Sequence, residues 1–333
     1  MNAPAPLKAK DFETDQTVRW CPGCGDYAIL KSVQSVFPSL GIPRENFVVV
    51  SGIGCAARFP YYMNTFGFHT IHGRAPAIAT GIKVANPELS VWVASGDGDS
   101  LSIGGNHFIH TLRRNVGLKH LMFNNRIYGL TKGQVSPTSE RGKRTKSSPW
   151  GSVDAPFNPF QVALGAGATF VARGIDVQAP MLRAVLGRAA QHEGTAFVEI
   201  LQNCNIFNDG AWKSLTEKDV RAECQLLLEH GKPMIFGKDQ DKGLRLNGLS
   251  LEVINLADHD ESEVLVHDET NLNLAWLLAQ MQAPAFPTPV GVIRAVEAPT
   301  HEAQLTAQLE HAVENKGKGS LHDLLNAGDT WTV

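Results

Sequence analysis

Long hydrophobic runs are missing from this 333-residue sequence. No window approaches the roughly 18 uninterrupted apolar residues that a membrane-spanning helix needs, and the opening MNAPAPLKAKDFETDQ lacks the apolar core of a signal peptide. A marked excess of one charge is also absent, because the formal net charge is -3 and the pI is near 6.5. These absences predict a cytoplasmic protein that uses neither a membrane nor nucleic acid as a general partner.

Cysteine is scarce, with five residues in the whole chain. In a chain without an export signal, the cysteines are expected to be free thiols or metal ligands and not a disulfide framework. Hydrophobic residues make up 43% of the sequence and charged residues 19%. This composition suits one large or two modest globular domains with ample cores.

The stretch VWVASGDGDS, residues 91–100, carries the clearest chemical signal. Its β-branched and small apolar residues predict a buried parallel strand that ends at GDG, residues 96–98, before a helix that begins near Ser100. The glycines allow close approach of an anion to the backbone, and the Asp97 carboxylate suits a divalent cation. Helix capping alone could explain Asp99 and Ser100, and contact with a diphosphate is the alternative.

A second strand, LKHLMF, ends at Asn124 and Asn125, and 25 residues separate this pair from GDG. Parallel strands align their carboxyl ends, so an Asn side chain and Asp97 are expected to meet at one edge of the sheet. The pair of motifs resembles the thiamine diphosphate motif, in which the Asp, the second Asn and a carbonyl two residues later bind Mg2+. The resemblance implies Asp97, Asn125 and the Ile127 carbonyl as ligands.

Apolar patterns predict a doubly wound α/β fold with five or six mostly parallel strands and helices on both faces. Further strands are predicted within residues 46–54, 168–173 and 195–201, and further helices within 26–37, 75–86, 160–164 and 178–191. The loop from Arg126 to Pro159 is long and polar, so it is expected to cover a site.

The chain divides into three predicted regions. Residues 1–16 form a polar leader that lies across another surface or is mobile, residues 17–214 form the α/β core, and residues 215–333 form a C-terminal extension that packs on the core or on a partner. In the extension we expect a helix over 216–230 with Thr216 as its N-cap and Asp219 at N3. A hairpin of PMIFGK with SLEVINL, a helix over 271–281 and a polar final helix are expected to follow.

Four cysteines are predicted to converge on the edge that holds GDG. Cys21 and Cys24 lie in a CPGCG loop before a helix, and Cys55 and Cys204 each follow a predicted strand. Cys224, the competing fourth ligand, is interpreted as buried packing inside a helix. The cysteines alone leave zinc and an iron-sulfur cluster open. The thiamine motif favours the cluster, because an electron acceptor beside that cofactor has a role that zinc lacks.

Taken together, these motifs resemble the β subunits of 2-oxoacid:ferredoxin oxidoreductases, most closely the 2-oxoglutarate type. The matching segments are WCPGCGDYAILKSV, SGIGCAARFPYYMNTFGFHTIHGRAPAIATGIKVANP, SGDGDSLSIGGNHFIHTLRRN, FNNRIYGLTKGQVSPTS and EILQNCNIFND. The resemblance implies the thiamine diphosphate-binding fold, with one 4Fe-4S cluster on Cys21, Cys24, Cys55 and Cys204. It also implies that the thiamine diphosphate site is lined by Gly54, Cys55, His72, Gly96, Asp97, Gly98, Asp99, Asn125, Ile127, Leu130 and Thr131.

The resemblance places Arg58, Leu130 and Lys132 in the pocket for the 2-oxo acid. An arginine fork suits the distal carboxylate of a dicarboxylic substrate. Pyruvate-type relatives tend to have lysine where Arg58 stands, which favours 2-oxoglutarate and leaves pyruvate as the alternative. The basic run 141–146 is either a solvated loop or a site that steers coenzyme A or an acidic ferredoxin.

The activity implied is CoA-dependent oxidative decarboxylation of 2-oxoglutarate to succinyl-CoA and CO2, with electrons passed through the cluster to ferredoxin, or the reverse carboxylation. Thiamine enzymes clamp the cofactor between two domains, and this sequence indicates only the diphosphate-binding one. A larger α subunit with the pyrimidine-binding domain is therefore expected, in a heterotetramer. The alternatives are a non-oxidative thiamine lyase whose four cysteines hold a structural zinc ion, and a non-catalytic electron-transfer subunit.

Overall fold

The computed structural model describes residues 6–331. Its centre is an eight-stranded sheet in the order β2-β1-β3-β4-β6-β5-β11-β7. The six strands from β2 to β5 in this order are mutually parallel, whereas β11 runs antiparallel to β5 and parallel to β7. The strands of this sheet are β1 (Phe47–Ser51), β2 (Phe66–His69), β3 (Ser90–Gly96), β4 (Leu118–Asn124), β5 (Phe170–Ile175), β6 (Ala196–Leu201), β7 (Gln225–Leu228) and β11 (Thr288–Ala295).

Helices cover both faces of the sheet because the central strands are apolar on both sides. In β1, Val49 packs in one core with helices α1 and α6, while its neighbours Val48 and Val50 pack in another with α2. This alternation confirms the predicted doubly wound layout. The helices are α1 (Asp26–Val36), α2 (Ala75–Ala85), α3 (Asp97–Leu101), α4 (Gly105–Arg114), α5 (Pro159–Gly165), α6 (Ala179–Gln191), α7 (Lys213–Thr216), α8 (Arg221–Cys224), α9 (Leu272–Gln280), α10 (His301–Lys316) and α11 (Leu321–Leu325).

The helix after the GDG stretch differs from the prediction. It begins at Asp97 and not near Ser100, and it ends at Leu101. A break over residues 102–104 separates it from α4. Ser102 leaves the helical conformation at this break, with φ of -89° and ψ of -109°, and Gly104 packs so closely on α3 that a Cβ atom there would lie 2.2 Å from the carbonyl oxygen of Asp99.

The C-terminal extension packs on the core by adding two strands, β7 and β11, to the main sheet. The helix predicted over residues 216–230 is therefore wrong: α7 ends at Thr216, and β7 follows α8. In β7, Leu226 and Leu228 are buried while Leu227 is 53% exposed, which is the period of a strand. A short apolar run of this kind does not distinguish strand from helix until a neighbouring strand is available for pairing.

A second, three-stranded sheet contains β8 (Ile235–Phe236), β9 (Lys242–Asn247) and β10 (Ser250–Asn255). The predicted hairpin strand SLEVINL is present as β10, but its antiparallel partner is β9. The expected partner PMIFGK contributes only the two-residue β8, which pairs with the other side of β9.

The described part of the leader lies on the core. Phe12 is fully buried and packs edge-on against Phe37 and Phe47, with ring centroids 5.3 and 5.5 Å away. Residues 1–5 of the predicted leader lie outside the described range. Within residues 6–331, no helix has both the length and the apolarity to cross a bilayer.

Candidate functional site

The carboxyl ends of β3 and β4 lie side by side at one edge of the sheet. Gly96, the last residue of β3, pairs in register with Phe123 near the end of β4. The chain passes from β3 directly into α3, and from β4 into the turn at Asn125. The parallel pairing thus brings the two halves of the predicted motif together.

A cleft that is partly open to solvent lies at this edge. The residues predicted for the thiamine diphosphate site that line it are Gly54, Cys55, Gly96, Asp97, Gly98, Asp99, Asn125, Ile127, Leu130 and Thr131. The cleft is also lined by Asp26, Ile53, Ala56, Phe123, Tyr128 and Gly129, which the sequence analysis did not identify. His72 is the one predicted residue absent from its lining.

The Asp97 carboxylate is buried and held by hydroxyl groups from the loop after β4. Its Oδ2 accepts hydrogen bonds from Ser136 Oγ at 2.5 Å and Thr138 Oγ1 at 2.6 Å. Burial raises the pKa of Asp97, and these two hydrogen bonds act in the opposite direction. Sequence analysis missed both hydroxyl residues, since nothing in a loop sequence shows which side chains fold back onto the strand ends.

The donors expected for Mg2+ are all oxygens, which that ion prefers. Asp97, Asn125 and Ile127 line one cleft, and Asn125 is fixed there by two contacts. Its Nδ2 donates to Gln202 Oε1 at 2.8 Å, and its Oδ1 accepts from the Ile127 amide at 3.1 Å. This donor chemistry fits Mg2+. In the described residues, no cluster of three or more His, Cys, Asp or Glu side chains is arranged to hold a metal ion.

The two glycines of the GDG stretch have different surroundings. A Cβ atom on Gly96 would meet nothing within 4 Å, so that residue faces open space. A Cβ atom on Gly98 would lie 2.3 Å from the ring of Tyr128, whose hydroxyl donates to the Gly98 carbonyl oxygen at 2.9 Å. Gly98 is therefore required by the close approach of Tyr128.

Substitution of Gly98 by alanine is expected to destabilise the protein by about 1–3 kcal/mol, because the added methyl group overpacks the contact with Tyr128. The measurement is the free energy of unfolding from denaturant titration. Gly96→Ala is the matched control and is expected to stay within about 1 kcal/mol of the wild type, since its methyl group would meet open space. Equal stability of wild type and Gly98→Ala would contradict the steric interpretation.

Asp99 and His72 form a second contact behind the cleft. Asp99 Oδ1 accepts a hydrogen bond from the Gly73 amide at 2.7 Å, and His72 Nε2 lies 3.8 Å from the same oxygen. Burial raises the pKa of Asp99, and the Gly73 amide opposes this shift. Asp99 thus ties the HGR segment to the GDG helix while also lining the cleft.

Ser100, for which diphosphate contact was the alternative to helix capping, does not line the cleft. Its Oγ lies 2.5 Å from Ser95 Oγ and 3.2 Å from His120 Nε2, in a fully buried cluster. Burial lowers the pKa of His120 to about 3, so the imidazole is neutral. The cluster connects the end of β3 with α3 and β4.

Two of the cysteines lie at the cleft, since Cys55 lines it and the Cys204 sulfur would lie 3.3 Å from a Cβ atom on Gly129, which also lines it. The pKa of the Cys24 thiol is raised, in small part by the nearby thiols of Cys55 and Cys204. The pKa of the Cys55 thiol is also raised, in small part by the thiols of Cys204 and Cys21. Burial is the largest cause of both raised pKa values, and the charge of the Asp26 carboxylate is the next. Together these effects raise the pKa of Cys55 to about 12. Charges on these thiols would therefore act on one another, but within residues 6–331 no three of them are placed to share a metal ion.

Two hydrogen bonds connect the segments that carry these cysteines. Gln202 Nε2 donates to Cys24 Sγ at 3.3 Å, and Asn205 Nδ2 donates to the Pro22 carbonyl oxygen at 2.6 Å. Cys21 is exposed and Cys204 is buried, so the group extends from the surface towards the cleft that Cys55 lines. Cys224 ends α8 and packs against a separate apolar cluster.

Asp26 is the main cleft residue that sequence analysis missed. Its carboxylate is buried, its Oδ2 has no hydrogen-bond partner, and burial raises its pKa to about 7. A single acidic residue after CPGCG carries no signal in the sequence, because its significance depends on burial between the cysteines and the cleft.

A second cleft, of about 1160 Å³ and open to solvent, adjoins the first and shares Ile53, Gly54 and Leu130 with it. Arg58 lines this second cleft, and the neighbouring Tyr62 hydroxyl raises the pKa of its guanidinium above the usual value. Lys132 is exposed in the neighbouring turn, with a left-handed φ of 75°, and lines neither cleft. Of the predicted substrate residues, Arg58 and Leu130 are therefore brought together.

Comparisons with known proteins find relatives over nearly the whole chain. A family model described as thiamine pyrophosphate enzyme, C-terminal TPP binding domain, matches residues 52–200. The chain is 50% identical to 2-oxoglutarate oxidoreductase subunit KorB of Mycobacterium tuberculosis, over 98% of this chain and 89% of that protein. It is 46% identical to 2-oxoglutarate synthase subunit KorB of Archaeoglobus fulgidus, over 56% of this chain and 69% of that protein.

A solved structure shares the fold over nearly the whole length. It is 2-oxoglutarate:ferredoxin oxidoreductase from Magnetococcus marinus with 2-oxoglutarate, coenzyme A and succinyl-CoA bound, with a TM-score of 0.78 and 32% identity. The match covers 97% of each chain. Together with the identity to the curated subunits, this shows that the chain belongs to the family of β subunits of the 2-oxoacid:ferredoxin oxidoreductases.

Proposed function

We propose that this chain is the β subunit of a 2-oxoglutarate:ferredoxin oxidoreductase. The reaction breaks the bond between the carboxylate and the keto carbon, joins the acyl group to the sulfur of coenzyme A, and sends the electrons released through a 4Fe-4S cluster to ferredoxin. With a low-potential reduced ferredoxin it runs in reverse as a carboxylation. One observation carries the proposal: Cys55 and Asp97 line the same cleft.

Asp97, the Asn125 side chain and the Ile127 carbonyl are the proposed Mg2+ ligands, and the metal would anchor the diphosphate of thiamine diphosphate. When bound, that cofactor stabilises the negative charge left on the keto carbon after CO2 departs. Gly96 leaves space for the diphosphate, since a Cβ atom there would meet nothing within 4 Å. The contribution of the protein is to hold these groups in one orientation.

Cys21, Cys24, Cys55 and Cys204 are the proposed ligands of the 4Fe-4S cluster. They come from three separate segments, as expected when a cluster is built between loops of a larger fold. Burial raises the pKa of the Cys24 and Cys55 thiols, and the positive charge of bound iron would stabilise the thiolate forms that ligate it.

Arg58 is proposed to bind the distal carboxylate of 2-oxoglutarate from the second cleft. The guanidinium supplies a planar pair of donors for a carboxylate, and Leu130 lies where the two clefts meet. Lys132 is the more distant of the proposed substrate residues. Since it is exposed in the same turn as Leu130, we propose that it reaches the substrate once the partner subunit covers this turn.

The proposed partner is a larger α subunit that carries the pyrimidine-binding domain. The edge strand β2 is exposed along its whole length, with Phe66 62% and Phe68 46% exposed, and Ile71 beyond it is 70% exposed. Tyr61, which lines the second cleft, is 55% exposed. Apolar side chains grouped in this way next to a site are typical of a protein interface.

The test is to purify this chain with its co-expressed partner and to measure reduction of a viologen dye with a panel of 2-oxo acids. We expect CoA-dependent turnover with 2-oxoglutarate and little with pyruvate. A preference for pyruvate would change the substrate and leave the reaction class intact. Full activity of this chain alone, reconstituted with both cofactors, would contradict the need for an α subunit.

The basic loop at residues 141–146 lies next to the cysteines and is proposed to guide ferredoxin. The Lys143 side chain contacts Asn208, which forms a backbone bridge with Cys204. The double substitution Arg141→Glu and Arg144→Glu is expected to slow ferredoxin reduction about tenfold or more at low ionic strength through loss of electrostatic steering. The difference should shrink as salt is added.

Reduction of a small viologen dye is the internal control and should be unchanged in this double variant, because a dye does not need a docking surface. The double substitution Lys316→Glu and Lys318→Glu, at exposed positions at and just beyond the end of α10, is the matched charge control. A raised KM for coenzyme A with normal ferredoxin kinetics would assign the loop to coenzyme A instead.

A further inference from the structure

A chain of buried polar side chains runs from the centre of the sheet to the Asp97 carboxylate. It starts with an ion pair between neighbouring strands, in which Arg173 Nη2 and Nε each lie 2.8 Å from Glu199 Oε2. The other oxygen, Glu199 Oε1, accepts from Asn124 Nδ2 at 2.6 Å. Thr138 Oγ1 then lies 3.0 Å from Asn124 Oδ1 and 2.6 Å from Asp97 Oδ2.

Every member of this chain is shielded from water. Glu199, Asn124 and Asp97 are each 1% exposed, and Thr138 is 4% exposed. The side chain of Arg173 is 12% exposed and stacks over the Phe160 ring at 4.0 Å. Burying an ion pair costs free energy of desolvation, so its presence here is not explained by stability alone.

Asn124 connects this series of hydrogen-bonded side chains to the cleft. Asn124 ends β4 and does not line the cleft, whereas the next residue, Asn125, does. The backbone carbonyl of Asn124 accepts from Trp212 Nε1 at 2.9 Å, and its Oδ1 accepts from the Arg126 amide at 3.2 Å. Fixing Asn124 therefore fixes the turn that presents Asn125.

Hydrogen-bond direction makes the arrangement unique. An ionised carboxylate only accepts, so the amide NH2 of Asn124 must face Glu199 and its oxygen must face Thr138. With that orientation, the single hydroxyl hydrogen of Thr138 is shared between Asn124 Oδ1 and Asp97 Oδ2. Replacing Glu199 by glutamine would let the Asn124 amide rotate and would remove this constraint.

We propose that the Arg173–Glu199 ion pair is a positioning device for the metal-diphosphate site. It acts through Asn124 and Thr138 to hold Asp97 and Asn125 in the geometry that a bound Mg2+ requires, and this rests on the proposed function. Partners that orient metal ligands in this indirect way commonly change metal affinity by about 10- to 100-fold when removed.

The test measures binding of thiamine diphosphate by equilibrium dialysis, with the co-expressed subunits and a series of Mg2+ concentrations. Glu199→Gln is expected to raise the dissociation constant by about 10- to 100-fold at a given Mg2+ concentration. The matched control is Glu269→Gln, which removes an ion pair of similar length, Arg188 Nη2 to Glu269 Oε1 at 2.7 Å, whose residues do not line the cleft. The control should bind like the wild type.

A second pair of variants covers the case in which Glu199→Gln does not fold. Thr138→Ser keeps the hydroxyl group and is expected to bind within about threefold of the wild type, while Thr138→Val removes it and is expected to weaken binding about tenfold or more. A positioning role predicts this difference between Ser and Val, which a packing role would not produce.

The possible outcomes distinguish a failure of the positioning role from a failure of the proposed function. If the wild-type complex binds thiamine diphosphate and Glu199→Gln binds it equally well, the positioning role is overturned and the proposed function stays in place. If Glu199→Gln does not fold, equal binding by Thr138→Ser and Thr138→Val would overturn it. If the wild-type complex binds no thiamine diphosphate at any Mg2+ concentration, the proposed function itself fails and the positioning role fails with it.

Discussion

Replacing Asp97 by asparagine is expected to abolish binding of thiamine diphosphate while leaving the fold intact. Asparagine keeps the size of the side chain but removes the negative charge that a divalent cation requires. Since removal of an indirect partner already costs about 10- to 100-fold in metal affinity, loss of this ligand should cost more than about 100-fold. Equilibrium dialysis at saturating Mg2+ measures the effect.

We expect the Asp97→Asn variant to lose affinity for thiamine diphosphate without any loss of folding stability. Burial raises the pKa of Asp97, which means that the folded protein disfavours the ionised carboxylate. When the pKa of a carboxyl group is higher in the folded than in the unfolded protein, ionisation of that group at neutral pH lowers the stability of the folded protein. The neutral amide of asparagine removes this loss of stability. We therefore expect a melting temperature equal to or above that of the cofactor-free wild type.

Asp154→Asn is the matched control, because Asp154 is an exposed residue in the long loop after β4. It should change neither binding nor melting temperature. Wild-type affinity in the Asp97→Asn variant would contradict the assignment of Asp97 as a metal ligand, whatever its effect on turnover.

Replacing Cys204 by serine is expected to remove the iron-sulfur cluster and the oxidative reaction together. Cys204 is the buried member of the four cysteines, and loss of one thiolate opens the cluster to water and oxygen. The purified variant should lose the broad visible absorption that bleaches on reduction, and dye reduction should fall by more than about 100-fold, as for loss of a direct metal ligand.

Binding of thiamine diphosphate should persist in the Cys204→Ser variant, which separates the two halves of the site. Cys224→Ser is the matched control, since Cys224 packs against a different apolar cluster and should leave absorption and activity unchanged. Stoichiometric zinc in place of iron in the wild-type protein would support the non-oxidative alternative with a structural metal.

The sequence predicted the location of the cleft because its signals are local. GDG and the Asn pair each follow a strand, and parallel strands necessarily align these ends. The residues predicted for thiamine diphosphate line the cleft with the exception of His72, which contacts Asp99 instead. The roles proposed for these residues remain predictions for the experiments above.

The errors lie where local patterns were ambiguous. The run QLLL in β7 is too short to distinguish helix from strand, and its conformation was decided by pairing with β11, a strand far later in the chain. For Ser100 the sequence left helix capping and diphosphate contact open, and in the structure helix α3 begins at Asp97 and the Ser100 hydroxyl contacts Ser95 and His120.

By itself, the sequence determined the parallel α/β core and the edge at which its polar motifs meet, because these follow from strand patterns and motif spacing. Only the tertiary structure decided that Asp26 Oδ2 is buried without a hydrogen-bond partner and that Arg173, Glu199, Asn124 and Thr138 form one chain to Asp97. These contacts join residues far apart in sequence. They depend on which side chains share a water-free interior, and no local pattern encodes that.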